Sequence, residues 1–227
     1  MTQFGRLILA SGSPRRREIL ANAGFSFVVA VTDIPEEVRP GESPEDYVRR
    51  LAREKAEAVA AADGDVTLGA DTVVVAEGHI LGKPAGAGDA ARMLRLLSGR
   101  EHEVITGICL RHRGGCILDL ERTAVCFVPL TDEEIDAYVA TGEPMDKAGA
   151  YAIQGRASRF VRRIEGCYFN VVGLPVALDH EHLKALGWPG SRPAICLGSG
   201  AVCASTRRTP AEPAWRKAAT AGPAPSR

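Results

Sequence analysis

An apolar, β-branched run at residues 66–75 constrains the fold of this chain more than any other feature. Its composition is typical of a strand that is buried on both faces of a sheet. Asp71 nevertheless stands in the middle of this run. A carboxylate buried without partners costs on the order of several kcal/mol. Its chain neighbours cannot pair with it, so we expect a lysine, a metal ion or a hydrogen-bonding substrate to do so. A buried salt bridge without a catalytic role is the alternative.

Two lysines are candidates for that partner. In the segment 47–61, Tyr47, Leu51 and Val59 stand at helical positions i, i+4 and i+12, and Lys55 occupies position i+8 of the same stripe. On spacing alone such a lysine extends its amine to the surface. Beside a buried aspartate, we interpret it as a charge partner. Lys83, just past the strand, is the second candidate.

The beginning of the chain predicts a strand followed by an anion-binding helix N-terminus. A short apolar strand at 7–10 leads to Ser13 as helix N-cap, with Pro14 at the first helical position. Arg15 and Arg16 then fall in the first turn, where positive charge opposes the helix dipole unless an anion binds there. We therefore predict a phosphate cradle. A solvated basic face is an equally good interpretation of these arginines alone.

The rest of the pattern predicts an α/β domain whose sheet is partly antiparallel. We expect further helices at 44–61, 87–97, 132–140 and 175–186. We expect further strands at 103–112, 116–120, 122–128, 160–164 and 167–172, the last two forming a hairpin. The helix at 132–140 opens with a capping box of Thr131 and Glu134.

Composition predicts a cytoplasmic protein with one domain at 1–188 and a tail at 189–227. No stretch approaches the roughly 20 apolar residues that span a bilayer, and the short apolar start predicts a strand rather than a signal peptide. The six cysteines form no CxxC pair and indicate reduced thiols. The tail is rich in Pro, Ala and Gly, which predicts disorder.

Charge argues against a specific nucleic-acid partner. The tail carries six basic side chains and one acidic one, so residues 1–188 carry five more acids than bases. A nucleic-acid-binding domain normally shows a basic face. We therefore expect no specific nucleic-acid partner. The absence of a long apolar stretch likewise predicts no membrane partner.

The polar candidates suit phosphoryl chemistry. Carboxylates bind a hard cation such as Mg²⁺ through oxygen, while lysines and arginines neutralise a polyphosphate. The chain contains no Walker GxxxxGK[ST] motif and no GxSxG motif, and its five histidines are scattered.

A series of short motifs, in order along residues 7 to about 187, resembles the Maf family. The motifs are SGSPRR at 11–16, LAREKA at 51–56, GADTVV at 69–74, GKP at 82–84, SGR at 98–100, TG at 106–107, DKAGAYAIQG at 146–155 and VGLP at 172–175.

The resemblance implies a nucleoside triphosphate pyrophosphatase with the inosine-triphosphate-pyrophosphatase-like α/β fold, usually dimeric and dependent on Mg²⁺ or Mn²⁺. It implies that Asp71 is the proton acceptor that activates water. Glu36, Lys55 and Lys83 match the remaining polar active-site positions, and Glu36 and Asp71 would hold the metal. Only the resemblance draws attention to Glu36, since a loop carboxylate is otherwise just solvated.

The DKAGAYxIQG motif points to the branch of the family that acts on dTTP and UTP. Arg15, Thr72 and Gln154 match the positions that select the base, and Ser13 and Arg16 join them as expected substrate-binding residues. The amide of Gln154 can both donate to and accept from the edge of uracil or thymine.

Two alternatives stay open at this point. The same selecting residues would serve a pyrophosphatase whose main substrates are modified pyrimidine nucleotides. A nucleotide- or DNA-binding regulator of septum formation, without obligatory hydrolysis, is the other alternative. The complete set of Glu36, Lys55, Asp71 and Lys83 argues against that regulator, since binding alone needs no intact acid pair.

Overall fold

The computed structural model describes residues 5–188, which form a seven-stranded mixed sheet flanked by helices. The strands are β1 Leu7–Ala10, β2 Phe27–Val29, β3 Val66–Ala76, β4 His79–Leu81, β5 Glu101–His112, β6 Gly115–Phe127 and β7 Val161–Glu165. The helices are α1 Pro14–Asn22, α2 Pro44–Glu57, α3 Ala87–Leu97, α4 Asp132–Val139, α5 Tyr168–Val172 and α6 Val176–Ala185. Three 3₁₀ turns occupy Glu143–Asp146, Ala148–Ala150 and Arg156–Phe160. The predicted α/β class and partly antiparallel sheet are confirmed.

The sheet changes from parallel to antiparallel at β3. The strand order is β2-β1-β3-β5-β6-β7, and β4 pairs with the end of β3 outside this order. Strands β2, β1 and β3 run parallel, whereas β3 to β7 pair antiparallel. Strand β3 is therefore central, and its residues are mostly buried, as its apolar composition predicts.

Alternate residues of β3 contribute to different cores, as the two-residue period of a strand requires. Leu68 packs in a cluster with Leu20 of α1 and Leu183 of α6. Val73 packs in a cluster with Leu51 of α2. Helix α2 thus covers one face of the sheet, and α1 and α6 cover the other. Asp71 shares its face with Val73 and so points toward α2.

The predicted helix caps are confirmed. Ser13 caps α1 by accepting a hydrogen bond from the backbone of Arg16, and Pro14 occupies the first turn. Gly24, with φ +81°, follows the end of this helix in the left-handed conformation that glycine adopts easily. Thr131 and Glu134 form the full capping box of α4.

Residues 167–172 do not form the predicted strand. They lie mostly in the short helix α5, although their aromatic and β-branched composition favours a strand. Asn170 is fully buried there, and its Nδ2 donates to Val104 O at 2.9 Å and to Thr123 Oγ1 at 3.0 Å. These non-local hydrogen bonds outweigh local propensity, so the predicted hairpin is wrong.

Other boundaries also differ from the prediction. The segments 116–120 and 122–128 belong to one continuous strand, β6, because β5 pairs with it from Gly115 to Cys126. Helix α2 ends at Glu57 rather than near residue 61. After the helix, the carboxylate of Asp65 accepts hydrogen bonds from Ala62 N and Arg6 N and fixes a turn before β3. The three-residue strands β2 and β4 were not predicted.

Three further expectations concern the tail, membrane-spanning helices and the cysteines. The predicted tail at 189–227 lies outside the described residues. None of the helices within residues 5–188 is long and apolar enough to cross a membrane. Within the same residues, Cys109, Cys116, Cys126 and Cys167 are free thiols.

Asp179, in the first turn of α6, is buried in a way that no sequence pattern indicates. Its side chain is completely inaccessible to solvent, and neither carboxyl oxygen has a hydrogen-bond partner within residues 5–188. Burial raises the pKa of Asp179 to about 8, against the opposing influence of the positive charge of Arg16. The carboxyl group is therefore protonated in the folded protein at neutral pH.

This burial makes a testable prediction about stability and pH. The folded pKa lies above the unfolded value of about 4. The stability that the protonated group contributes is therefore full below about pH 4 and is lost as the pH rises to about 8. We expect Asp179→Leu to raise the free energy of unfolding at pH 8 by about 1–3 kcal/mol, because it removes an unpaired polar group.

Thermal melts between pH 5 and pH 9 check this prediction. Asp179→Asn is the matched control, because it keeps the shape of the side chain but cannot ionise. The melting temperature of wild type should fall relative to that of the Asn variant as the pH rises. A constant difference across the range would contradict the assigned pKa.

Candidate functional site

A pocket of about 400 Å³ opens beside the C-terminal end of β1 and the middle of β3. This volume lies in the usual range for a small-molecule site. All the site residues predicted from sequence line it: Ser13, Arg15, Arg16, Glu36, Lys55, Asp71, Thr72, Lys83 and Gln154.

Lys55 joins the two predicted acids. Its Nζ lies 2.6 Å from Asp71 Oδ1 and 2.6 Å from Glu36 Oε1. Lys83 Nζ reaches the other oxygen of Glu36, Oε2, at 3.2 Å. Both carboxylates therefore face one ammonium group. The expected charge partner of Asp71 is Lys55, which does not extend its amine to the surface.

Two strand glycines bring α2 close enough for this contact. A Cβ added at Gly69 of β3 would lie 2.1 Å from the backbone oxygen of Ala52. A Cβ added at Gly107 of β5 would lie 2.5 Å from the backbone oxygen of Val48. Only glycine permits this approach, and Gly107 is the direct partner of Asp71 across the sheet. The helix backbone therefore rests on the sheet, and Lys55 can reach Asp71.

The surroundings shift the pKa values of Asp71 and Glu36 in opposite directions. Burial raises the pKa of Asp71, and the nearby charges of Lys55 and Arg16 only partly offset this. Partial burial also raises the pKa of Glu36, but the hydrogen bond and positive charge of Lys55, together with Lys83, lower it overall. Glu36 is thus the more firmly ionised acid, and Asp71 is the one with the greater affinity for a proton.

Arg16 is a buried cation whose described hydrogen bonds all go to neutral acceptors. Its Nε donates to Gly173 O at 2.7 Å, Nη1 to Ser11 Oγ at 3.2 Å and Nη2 to Thr72 Oγ1 at 3.0 Å. Burial lowers the pKa of Arg16, although Asp71 and Glu36 oppose this effect. An arginine remains charged in proteins. Its positive charge is therefore available to an anion in the pocket.

The remaining predicted residues lie around the same pocket. Arg15 Nη1 lies 3.7 Å from Asp146 Oδ2, and both residues line the pocket. The side chain of Ser13 caps α1 and lines the pocket beside it. Gln154 is exposed at its rim, and Thr72 lies beside Arg16.

Sequence reasoning missed a buried chain of hydrogen bonds behind Thr72. Thr72 Oγ1 lies 2.9 Å from Thr106 Oγ1, which in turn donates to Asn170 O at 3.2 Å. Asn170 links this chain to Val104 and Thr123 in the two strands beyond. Thr106 stands in the TG motif and Asn170 in an apolar stretch, but neither pattern indicates these hydrogen bonds.

Three more pocket residues were not predicted. Tyr47 belongs to the predicted apolar stripe of α2, but its hydroxyl donates to Glu36 O at 3.0 Å and so holds the loop that carries Glu36. Asp146 and Lys147 line the pocket within the DKAGAY motif, yet their individual roles gave no sequence signal.

The two carboxylates fit a divalent cation that arrives with a phosphate ligand. No group of three or more His, Cys, Asp or Glu side chains within residues 5–188 could hold a metal by itself. Mg²⁺, however, is commonly bound through one or two carboxylates plus substrate phosphates and water. Asp71 and Glu36 would offer two such carboxylates in the pocket.

Comparison with known proteins agrees with the motifs. A family model described as Maf-like protein matches residues 6–186. A protein of Geobacter sulfurreducens named dTTP/UTP pyrophosphatase is 58% identical over 186 residues, which cover 81% of this chain and 97% of that protein. A protein of the same name from a Geobacillus species is 53% identical, over 81% of this chain and 99% of its own length.

Among solved structures, the similarity is lower. The Staphylococcus aureus Ham1 protein matches with 15% sequence identity and a TM-score of 0.46, over 80% of this chain and 100% of that chain.

Proposed function

This chain belongs to the Maf-like protein family, and on that basis we propose that it is a hydrolase that converts dTTP and UTP to the monophosphate and pyrophosphate. The similarity to proteins named dTTP/UTP pyrophosphatase, over most of their length, supports this substrate class. Modified pyrimidine nucleotides would meet the same residues and stay an alternative substrate.

The contact of Lys55 with both Asp71 and Glu36 supports the proposal most directly. A buried acid with a raised pKa, oriented by a lysine and placed in a pocket, is the arrangement expected of a general base. A protein that only binds nucleotides would not need an acid in this state. Regulation of septum formation without hydrolysis receives no such support from a specific contact.

In the proposed reaction, Asp71 accepts the proton of a water molecule. The water oxygen forms a bond with the α-phosphorus, the bond from that phosphorus to the oxygen bridging to the β-phosphate breaks, and pyrophosphate leaves. The hydrogen bond from Lys55 at 2.6 Å orients Asp71 and favours its ionised form, which must be present for it to act as a base.

Charge on the triphosphate must be neutralised for this step. Glu36 and Asp71 would hold a divalent cation, Mg²⁺ or Mn²⁺, which when bound would neutralise phosphate charge and acidify water. Arg16 and Lys83 line the same pocket and add positive charge from the protein itself.

Gln154, Arg15 and Thr72 would select the base. The exposed amide of Gln154 can pair with the O and N–H edge of uracil or thymine, because it offers both a donor and an acceptor. A homodimer and a cytoplasmic location are further parts of the proposal, the first resting on the family resemblance and the second on the sequence composition.

The proposed reaction predicts its products and a requirement for metal. The purified protein with Mg²⁺ or Mn²⁺ should release pyrophosphate and monophosphate from dTTP and UTP, and EDTA should stop the release. Phosphate-specific detection and chromatography of the nucleotide products provide the measurement. Two results would contradict the proposal. One is the release of only nucleoside diphosphate and orthophosphate, and the other is full activity in the presence of EDTA.

Asp71→Asn should reduce kcat by at least about 10²–10⁴-fold, because the amide keeps the shape of the side chain but cannot accept the proton of water. Steady-state kinetics on dTTP measures the effect, and a thermal melt checks that the variant is folded. Glu57→Gln, at an exposed position at the end of the same helix as Lys55, is the control. Near wild-type turnover of the Asn variant would exclude Asp71 as the base.

Gln154→Ala should reduce the preference for UTP over CTP by about 10- to 100-fold. Cytosine reverses the donor and acceptor on the edge that Gln154 reads, and leaving such groups unpaired costs about 1–3 kcal/mol. The ratio of kcat/KM for the two nucleotides measures this preference. An unchanged ratio would place base selection at other residues.

A further inference from the structure

Lys147 is a cation of the pocket to which neither the motifs nor the proposed reaction gives a role. Its side chain is 14% exposed and lines the pocket together with Lys83 and Arg16. Its ammonium contacts the carboxylate of its neighbour Asp146. By contrast, Lys55 is fully engaged by two acids, one of them deeply buried.

The backbone around Lys147 is fixed to the strand that carries Asp71. Gly149 N donates to Gly82 O at 3.1 Å, so the segment of Lys147 is bonded to the segment of Lys83. Gly149 has φ +66°, and an added Cβ would lie 2.7 Å from a methyl group of Val74 in β3. The segment therefore packs directly against β3, and the position of Lys147 in the pocket is set by this contact.

The resting partner of Lys147 is easily replaced. The side chain of Asp146 is 70% exposed, and it is shared with Arg15 at 3.7 Å. Partial burial raises the pKa of Asp146, but the hydrogen bond and charge of Lys147 lower it overall, so the carboxylate is ionised at neutral pH. An ion pair with such an exposed acid contributes little net stability, because water solvates the free carboxylate well.

We propose that Lys147 is a phosphate-binding residue of this site, and that Asp146 holds its ammonium group until the substrate triphosphate replaces the carboxylate. A triphosphate carries more negative charge than one carboxylate and enters between Lys147 and Lys83. Asp146 then turns to solvent. The inference rests on the proposed function for the identity of the ligand, but its test by inorganic pyrophosphate needs no hydrolysis.

The first test replaces the lysine. Lys147→Gln should raise the KM for dTTP and the Kd for pyrophosphate by about 10- to 100-fold, the usual effect of losing a charged hydrogen bond. Lys147→Arg should restore most of the affinity, and the melting temperature without ligand should stay at the wild-type value. Lys184→Gln, on the exposed end of α6, is the control.

The second test removes the competing acid. Asp146→Asn should lower the KM for dTTP and the Kd for pyrophosphate by about two- to fivefold, because the ligand no longer displaces an ion pair. A general structural lesion would not tighten binding. Asp63→Asn is the control, since Asp63 is equally exposed and also pairs with an arginine, outside the pocket.

The double variant, Lys147→Gln with Asp146→Asn, tests whether Asp146 affects ligand affinity through Lys147. The gain from Asp146→Asn should disappear in the Lys147→Gln background if Asp146 acts through Lys147. If the gain in affinity persists in that background, Asp146 acts through Arg15 instead. This result would overturn the proposed replacement of the Asp146 carboxylate by the triphosphate at Lys147. Unchanged pyrophosphate affinity of Lys147→Gln would overturn the role of Lys147. A wild-type protein that binds pyrophosphate through Lys147 but hydrolyses no nucleotide would overturn the proposed function alone.

Discussion

The contact between Lys55 and the buried carboxylate of Asp71 is the interaction on which this structure depends. A charged aspartate in the centre of an apolar strand would destabilise the sheet unless a partner reached it. The 2.6 Å contact with Lys55 provides that partner, and Glu36 shares the same ammonium from a loop. Helix α2 must therefore lie directly on the sheet, which Gly69 and Gly107 allow.

Strand β3 also explains why two chemical environments meet in one pocket. Asp71 and Thr72 are neighbours on a strand and therefore point to opposite faces. Asp71 meets Lys55 of α2, whereas Thr72 meets Arg16 of α1 and, through Thr106, the backbone of α5. The acids and the buried arginine thus approach the same cavity from two layers of the fold.

The cations of the pocket differ in how firmly they are engaged. Lys55 is held by two carboxylates, Arg16 donates to neutral oxygens, and Lys147 pairs with an exposed acid. A pocket with this distribution keeps Asp71 oriented by one permanent ion pair, while other positive charges stay accessible to an anionic ligand. The same burial that raises the pKa of Asp71 strengthens its ion pair with Lys55.

The sequence by itself determined the α/β class, the burial of β3 and the caps of α1 and α4. Together with the family resemblance, it also identified nine of the polar residues that line the pocket. The spacing of apolar residues and the residue types at helix ends are local signals, so they can be recognised in the sequence alone. The tertiary structure decided which lysine pairs with Asp71, because spacing alone left Lys55 between a surface and a buried position. It also turned residues 168–172 into a helix, because Asn170 bonds to strands about 50 to 70 residues earlier in the chain. Such contacts depend on what lies nearby in space, and local sequence carries no record of that.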